Sequence, residues 1–299
     1  MKILVTGANG LVGSHFVENY LPDSKTTNTI LSPNKNELDI TDQKSVENFF
    51  KVYKPEAVIH FAAFTDVSAA EEERENKNAP CWTVNVEGIA NLIKAVDYQP
   101  YFIYISTDVV FSGSKDNPGP YAEDHPPEQD EKLLSWYGWT KREAEILVSK
   151  NLKNAAILRI ANPSRAKYNQ KLDYVRKILR LYDTNQLYPM FDDQYLTLTY
   201  INEVTKTLKI LLKDKLTGVF HASSTNVFTP YKLANLLIEK VRGKKNAVKP
   251  VSIEPFLKDN PSRYPKYGGL NVERTEKLLG LKFMQWEEII EDLAKQLSA

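Results

Sequence analysis

The chain has 299 residues, 42% of them hydrophobic and 26% charged, with 39 Lys and Arg against 38 Asp and Glu for a net charge of +1. That length supports a large core divided between a nucleotide-binding domain and a smaller lobe, while the balanced charge supplies no long-range field for nucleic acid or a membrane surface. The single cysteine, Cys81, rules out an internal disulfide, and no apolar run reaches the roughly twenty residues of a spanning helix, so a cytoplasmic protein is expected.

Residues 1–6 read as a short buried strand rather than a leader, because the apolar run Ile3-Leu4-Val5 stops at Gly7. The strand enters the turn Gly7-Ala8-Asn9-Gly10-Leu11-Val12-Gly13, a G-x-x-G-x-x-G spacing. Glycines there allow a tight turn and let backbone approach a pyrophosphate, and a helix starting near Leu11 and continuing to Leu21 turns its free N–H groups toward the phosphates. Further strands are expected at 29–31, 57–60, 101–105, 155–158 and 218–221, with helical patterns between most of them. Such β-α-β alternation implies a parallel, doubly wound sheet whose ligand lies across the carboxyl ends of its strands.

Thr41-Asp42 can cap a helix ending before Lys54-Pro55, and Pro80 can open another running through Val84, Ile89, Leu92 and Val96. The acidic run Glu71-Glu72-Glu73 reads as a solvated helix face, and no metal site is expected. Residues 112–130, rich in Gly and Pro, read as an irregular loop on the rim of the site. After Arg159 the alternation weakens. An amphipathic helix is expected at 171–182, short strands at 188–191 and 195–198, and lobe helices at 229–242 and 287–297. The expected division is a nucleotide-binding domain at 1–162, with 199–222 returning to it, and a second lobe formed by 163–198 and 223–299.

Tyr137-Gly138-Trp139-Thr140-Lys141 puts a phenol and an ammonium on one helix face, one turn apart, and is the only Y-x-x-x-K in the chain. With an unperturbed phenol pKa near 10, a neighbouring cation together with a positive nicotinamide ring would allow Tyr137 to exchange protons near neutrality. Ser106-Thr107-Asp108 follow a buried strand, where a hydroxyl could hold an oxygen that gains charge. His60-Phe61-Ala62-Ala63 is a second strand end with small residues, and Val84-Asn85-Val86-Glu87-Gly88 lies on a helix.

Taken together and in this order, the glycine turn, Asp39, the small-residue strand end, Asn85, the hydroxyl strand end and Y-x-x-x-K resemble the extended short-chain dehydrogenase/reductase family. Over most of its length the chain is most similar to that family's dTDP-4-dehydrorhamnose reductase group. The shared stretches include residues 37–42 and 62–67, Ser106-Thr107-Asp108-Val109-Val110-Phe111, Leu158-Arg159, Asp193-Gln194, Leu279-Gly280, Trp286 and the segment from Arg263 to Leu270. The resemblance implies a Rossmann-type fold with a smaller C-terminal substrate-binding lobe. It also implies NAD(P)H-dependent reduction of a nucleotide-linked 4-keto-6-deoxy sugar, with a homodimer as a possible assembly.

Carried over by position, Thr107, Tyr137 and Lys141 would be catalytic, and Asn85 would support Lys141 through a water. Tyr137 would give a proton to the keto oxygen. The cofactor would meet Gly7, Asn9, Gly10, Leu11, Val12, Gly13, Ser32, Lys35, Asp39, Ile40, Phe61, Ala62 and Ala63 besides Tyr137 and Lys141. The substrate would meet Thr65, Val67, Ser106, Thr107, Asp108 and Tyr137. The chain departs from the group at Ile160-Ala161-Asn162-Pro163, where a tryptophan is usual, in a longer loop before Tyr137, and after Gln194. All three departures lie on the sugar side. Because residues 31–35 hold no acid, and Ser32, Asn34 and Lys35 could accept a phosphate, NADP(H) is favoured with NAD(H) possible. An epimerase or dehydratase of nucleotide sugars with bound NAD, or a nucleotide-binding regulatory subunit such as that of methionine adenosyltransferase, are the alternative readings.

Overall fold

Short runs of Val, Ile, Leu and Phe that are apolar on both faces can be satisfied only in a sheet covered on both sides. In the computed structural model, which describes residues 1–20, 28–260 and 264–297, these runs build such a sheet. The strands are β1 (Lys2–Thr6), β2 (Thr29–Leu31), β3 (Ala57–His60), β4 (Tyr101–Thr107), β5 (Ala155–Ile160), β6 (Met190–Phe191), β7 (Gly218–Ala222) and β8 (Pro250–Val251). Six of them lie parallel in the order β2-β1-β3-β4-β5-β7. The chain leaves β1 for β2 on one side and returns to β3 on the other, so the switch point opens a crevice beyond the ends of β1 and β3.

Alternation along each strand divides the core. Ile3, Val5, Ile59, Ile103 and Leu158 face one layer, where they meet Phe16 of helix Leu11–Asn19 and Leu208 and Leu211 of helix Ile201–Asp214. Leu4, Val58, Phe102 and Tyr104 face the other, against helices Gln43–Tyr53, Gly88–Ala95 and Trp136–Asn151. Each fully buried Leu or Ile of these layers contributes about 1.5–3 kcal/mol. A separate cluster joins helices Tyr174–Asp183, Pro230–Arg242 and Trp286–Leu297 with Leu196, Leu198 and Val248 into a further, C-terminal lobe.

Element boundaries differ from the sequence reading where packing overrides local pattern. β4 and β5 run on to Thr107 and Ile160 because they pair with each other to that point, so Ser106 and Thr107 belong to the strand itself. The helix opened by Pro80 is interrupted by a π-helical turn, Thr83–Glu87, which contains Asn85. Asp173 caps the next lobe helix by accepting from the Arg176 N–H, so that helix starts at Tyr174 and leaves Lys171 and Leu172 outside it. Residues 195–198 make only isolated bridges, Tyr195 with Tyr267 and Leu196 with Phe228. The first helix ends at Asn19. Leu21 and Arg263, named in the sequence reading, lie outside the described residues.

Candidate active site

The cavity that opens at the switch point has a volume of about 810 Å³ and reaches from the glycine turn to the C-terminal lobe. Gly7 adopts φ +67°, and a Cβ there would sit 2.6 Å from the Ala62 nitrogen. A Cβ on Gly13 would sit 2.4 Å from the Gly7 oxygen. The turn is therefore folded under the end of β3, with its first helical turn drawn onto it. Gly10 provides no side-chain cap, so the leading N–H groups of the helix are left for an anion at the wall formed by Leu11, Val12 and Gly13. A pyrophosphate fits this cradle because side chains are excluded from it.

Every residue expected at the site lines this cavity except Ser32 and Asn85. Ser32 is exposed beyond the end of β2, and the chain enters the cavity only from Pro33, Asn34 and Lys35. Asn85 is buried beside it, not in it. Its Oδ1 accepts from the Phe64 N–H at 2.8 Å, and its Nδ2 donates to the Phe64 carbonyl at 3.1 Å and to Thr140 Oγ1 at 2.9 Å. That amide is committed to the loop after β3 and to the helix bearing Lys141, and among the described contacts it makes none with Lys141 itself. It ties the loop after β3, at Phe64, to helix Trp136–Asn151, at Thr140.

Helix Trp136–Asn151 begins at Ser135, whose hydroxyl accepts from the Gly138 N–H. Gly138 allows this start to press on the end of β4, since a Cβ there would lie 2.2 Å from the Val109 oxygen. The first turn thereby brings the Tyr137 phenol to the same cavity wall as the Thr107 hydroxyl. Burial, and after it the Asp108 carboxylate, push the phenol above its ordinary pKa. Lys141 does not offset this. Its ammonium donates to the Ile105 carbonyl at 2.8 Å and lies 4.1 Å from the centre of the Tyr104 ring. Burial lowers Lys141 to about 7, against the pull of Glu145. Burial thus outweighs the neighbouring cation, and Tyr137 stands protonated, in the form that can give a proton.

Thr107 Oγ1 donates to Asp108 Oδ1 at 3.1 Å. Burial raises Asp108 to about 6, opposed by hydrogen bonds from Thr107 and the backbone. Ser106 is also on the cavity wall, and its hydroxyl is buried with no hydrogen-bond partner among the described residues. Among the described residues no group of three or more His, Cys, Asp or Glu side chains is placed to hold a metal ion.

Other parts of the site carry no legible sequence signal. The acidic run is not merely a solvated face: Glu71 accepts from the Trp136 N–H at 2.9 Å, and Glu73 from the Cys81 N–H at 2.8 Å. From the C-terminal lobe, Tyr168 donates to the Asn9 carbonyl at 2.6 Å, Arg165 to Ser14 Oγ at 3.1 Å, and Lys171 to Thr65 Oγ1 at 3.2 Å. These contacts join residues more than a hundred positions apart. Conversely, none of residues 112–130 lines the cavity. That loop pairs instead with the segment after Pro265, through the Gly119 N–H to the Tyr267 carbonyl and the Tyr121 N–H to the Gly269 carbonyl. Gly113 of that loop packs on Pro265, which lines the cavity, and a Cβ on Gly113 would lie 2.2 Å from the Pro265 Cβ.

Comparison with known proteins agrees with this geometry. The family model for the RmlD substrate binding domain matches residues 1–299. The chain is 27% identical to the spore coat polysaccharide biosynthesis protein SpsK of Bacillus subtilis, covering 100% of this chain and 98% of that protein. It is 27% identical to a dTDP-4-dehydrorhamnose reductase of Sinorhizobium fredii, covering 96% and 95%. The crystal structure of dTDP-4-dehydrorhamnose reductase from Bacillus anthracis in complex with NADP superposes with a TM-score of 0.83 at 29% identity, over 98% of each chain. The chain therefore belongs to the RmlD substrate-binding-domain family, as a Rossmann-type, NAD(P)-dependent oxidoreductase closely related to the dTDP-4-dehydrorhamnose reductases.

Proposed function

We propose that the protein reduces a nucleotide-linked 4-keto-6-deoxy sugar, with Tyr137 as the proton donor and NADP(H) preferred over NAD(H). The observation that carries this reading is the convergence of a protonated Tyr137, the Thr107 hydroxyl and the unpartnered Ser106 hydroxyl on one wall, facing the glycine cradle across the same cavity. A nicotinamide cofactor held by the turn from Gly7 to Gly13 would supply the hydride. Tyr137 gives its proton to the oxygen that gains charge, while Thr107 and Ser106 orient that oxygen by hydrogen bonding. Lys141, anchored on Ile105 one helical turn from Tyr137, stabilises in its charged form the phenolate left after transfer.

For the adenosine end, the Lys35 ammonium is 79% exposed and 3.7 Å from the Asp39 carboxylate. Asp39 already accepts from the Thr41 N–H at 2.9 Å and the Thr41 hydroxyl at 2.7 Å. Its charge is thus partly satisfied, and Lys35 is free to meet a 2′-phosphate. On the sugar side, Asn162, Lys171 and Gln194 line the remaining wall.

The test is NADPH oxidation followed at 340 nm with dTDP-4-keto-6-deoxy-L-lyxo-hexose generated in situ, for wild type and Tyr137→Phe. Turnover by wild type, reduced about 10²–10⁴-fold in the variant with cofactor binding kept, is expected. Absence of wild-type turnover with either NADPH or NADH, with cofactor demonstrably bound, would reject this substrate.

A further inference from the structure

Behind the catalytic helix lies an ion pair that the proposed reaction does not use. Arg159 of β5 and Glu145 of helix Trp136–Asn151 are 2% and 3% exposed, and they meet two-pronged, Nε to Oε1 at 2.9 Å and Nη2 to Oε2 at 2.7 Å. The guanidinium is held on its other sides as well. It lies 4.8 Å from the centre of the Phe111 ring, and its Nη1 is 3.4 Å from His221 Nε2. His221 is neutral, since burial, and then Arg159, lower it to about 3, and its Nδ1–H donates to the Asn271 carbonyl at 2.8 Å. Arg159 therefore cannot swing away, and neither can the carboxylate it grips.

Packing alone does not call for this pair. Desolvating two charges costs about as much as their attraction returns, and a well-fitted apolar pair is often as stable. What an apolar pair cannot supply is a fixed dipole whose negative end, the Glu145 carboxylate, lies on the helix of Lys141 while its positive end is carried by Arg159 on β5. Glu145 stands one helical turn beyond Lys141, at the spacing that brings side chains together on one face. Lys141 is 3% exposed, and its hydrogen bond to the Ile105 carbonyl is available only to the ammonium or amine in that position.

We infer that Glu145, clamped by Arg159, is a positioning residue for Lys141, its carboxylate holding the buried ammonium charged and seated on Ile105. The inference rests on the role given to Lys141 above. The other groups facing Lys141 supply no competing anion. The Tyr104 phenol on β4 and the Tyr137 phenol on its own helix are both held above the ordinary range by burial, and the Cys81 thiol is pushed up to about 11 by burial. His60 on β3, stacked on Tyr104 at 5.9 Å, is lowered to about 3 by burial and then by Lys141, and is neutral. Asp108 bears on Tyr137 rather than on Lys141.

The experiment titrates Lys141 directly in the full-length protein labelled with ¹³C at the lysine Cε, its resonance assigned by its loss in Lys141→Arg. Wild type, Glu145→Asp, Glu145→Gln and the double variant Glu145→Gln/Arg159→Met are compared, with kcat/KM measured over the same pH range. The midpoint is expected to fall by about one pH unit in Glu145→Gln, to fall by less but measurably in the double variant, and to stay near wild type in Glu145→Asp. The alkaline limb of kcat/KM should move with it. If Glu145→Gln does not fold, the double variant decides, since its two neutral side chains fill the same space without an unpaired charge. An unchanged Lys141 midpoint in a folded double variant would overturn the inference. Failure of the functional reading appears differently, as wild type without turnover, and leaves the titration readable.

Discussion

The Glu71 carboxylate accepts the Trp136 N–H at 2.9 Å, which ties helix Val67–Glu72 to the first turn of the helix that delivers Tyr137 and Lys141. Ser135 caps the same turn through Gly138, so two of its leading N–H groups have side-chain partners. Removing one leaves a partly buried donor unmet. Glu71→Ala is expected to cost about 1–3 kcal/mol, read as a lower urea midpoint, together with a several-fold loss in kcat from a loosened Tyr137. Equal kcat in a destabilised variant would show that this bond supports the fold and not the position of the phenol.

That bond also illustrates where the sequence stops being informative. The glycine turn, the Y-x-x-x-K helix and the Ser106-Thr107 strand end are local patterns, and each is set by its own backbone requirements, so they were legible as sequence. The sheet followed from alternating apolar runs. By contrast, the partners of Glu71, Arg165, Tyr168 and Lys171 are chosen by tertiary approach, and charged or aromatic residues in a polar stretch give no sign of which backbone group they will meet. Asn85 shows the same limit: helical spacing locates the residue, while its hydrogen bonds to Phe64 and Thr140 are set by tertiary approach. Residues 112–130 read as a rim on composition alone, yet their backbone pairs with the segment after Pro265 and not with the cavity.

Gly13 has the tightest demand in the cradle, with the Gly7 oxygen 2.4 Å from where a Cβ would be. The obstacle is backbone, so the turn itself has to move to admit a methyl group. Gly13→Ala is expected to weaken NADPH binding at least tenfold while leaving far-ultraviolet circular dichroism unchanged, which a fluorescence titration of NADPH would measure. Wild-type affinity in this variant would mean that the pyrophosphate does not sit on the turn.

Lys35 lines the cavity at the end proposed above for adenosine, 3.7 Å from the Asp39 carboxylate. A charge-assisted hydrogen bond to a 2′-phosphate contributes about 1.5–3 kcal/mol, which corresponds to roughly 10–150-fold in affinity. Lys35→Glu replaces that attraction with repulsion. The ratio of kcat/KM for NADPH to that for NADH should fall by at least tenfold, mostly through KM for NADPH, and NADH kinetics should change little. A ratio unaffected by the reversal would place the discrimination elsewhere, with Asn34 as the next residue to replace.

Glu203 provides a prediction about stability and pH. It is 5% exposed on helix Ile201–Asp214. One carboxyl oxygen accepts the Met284 N–H at 2.8 Å, and the other is buried with no partner among the described residues. Burial raises it from 4.5 to about 7, opposed by the Met284 hydrogen bond and Lys206 and assisted by Glu288 and Glu276. Between these two values the folded protein keeps a proton that the unfolded chain releases. The unfolded state then binds fewer protons, so stability falls as pH rises through this window, by about 1.4 kcal/mol per pH unit at most and about 2–3 kcal/mol in all. Glu203→Gln keeps an oxygen for Met284 and cannot ionise. Urea unfolding at pH 5 and pH 8 should therefore find the variant close to wild type at pH 5 and about 2–3 kcal/mol more stable than wild type at pH 8. Other buried titrating groups, including Lys141, Asp108 and the neutral histidines, act equally in both proteins and cancel in the difference. A wild-type-minus-variant difference that does not change with pH would mean that Glu203 is solvated in the folded state.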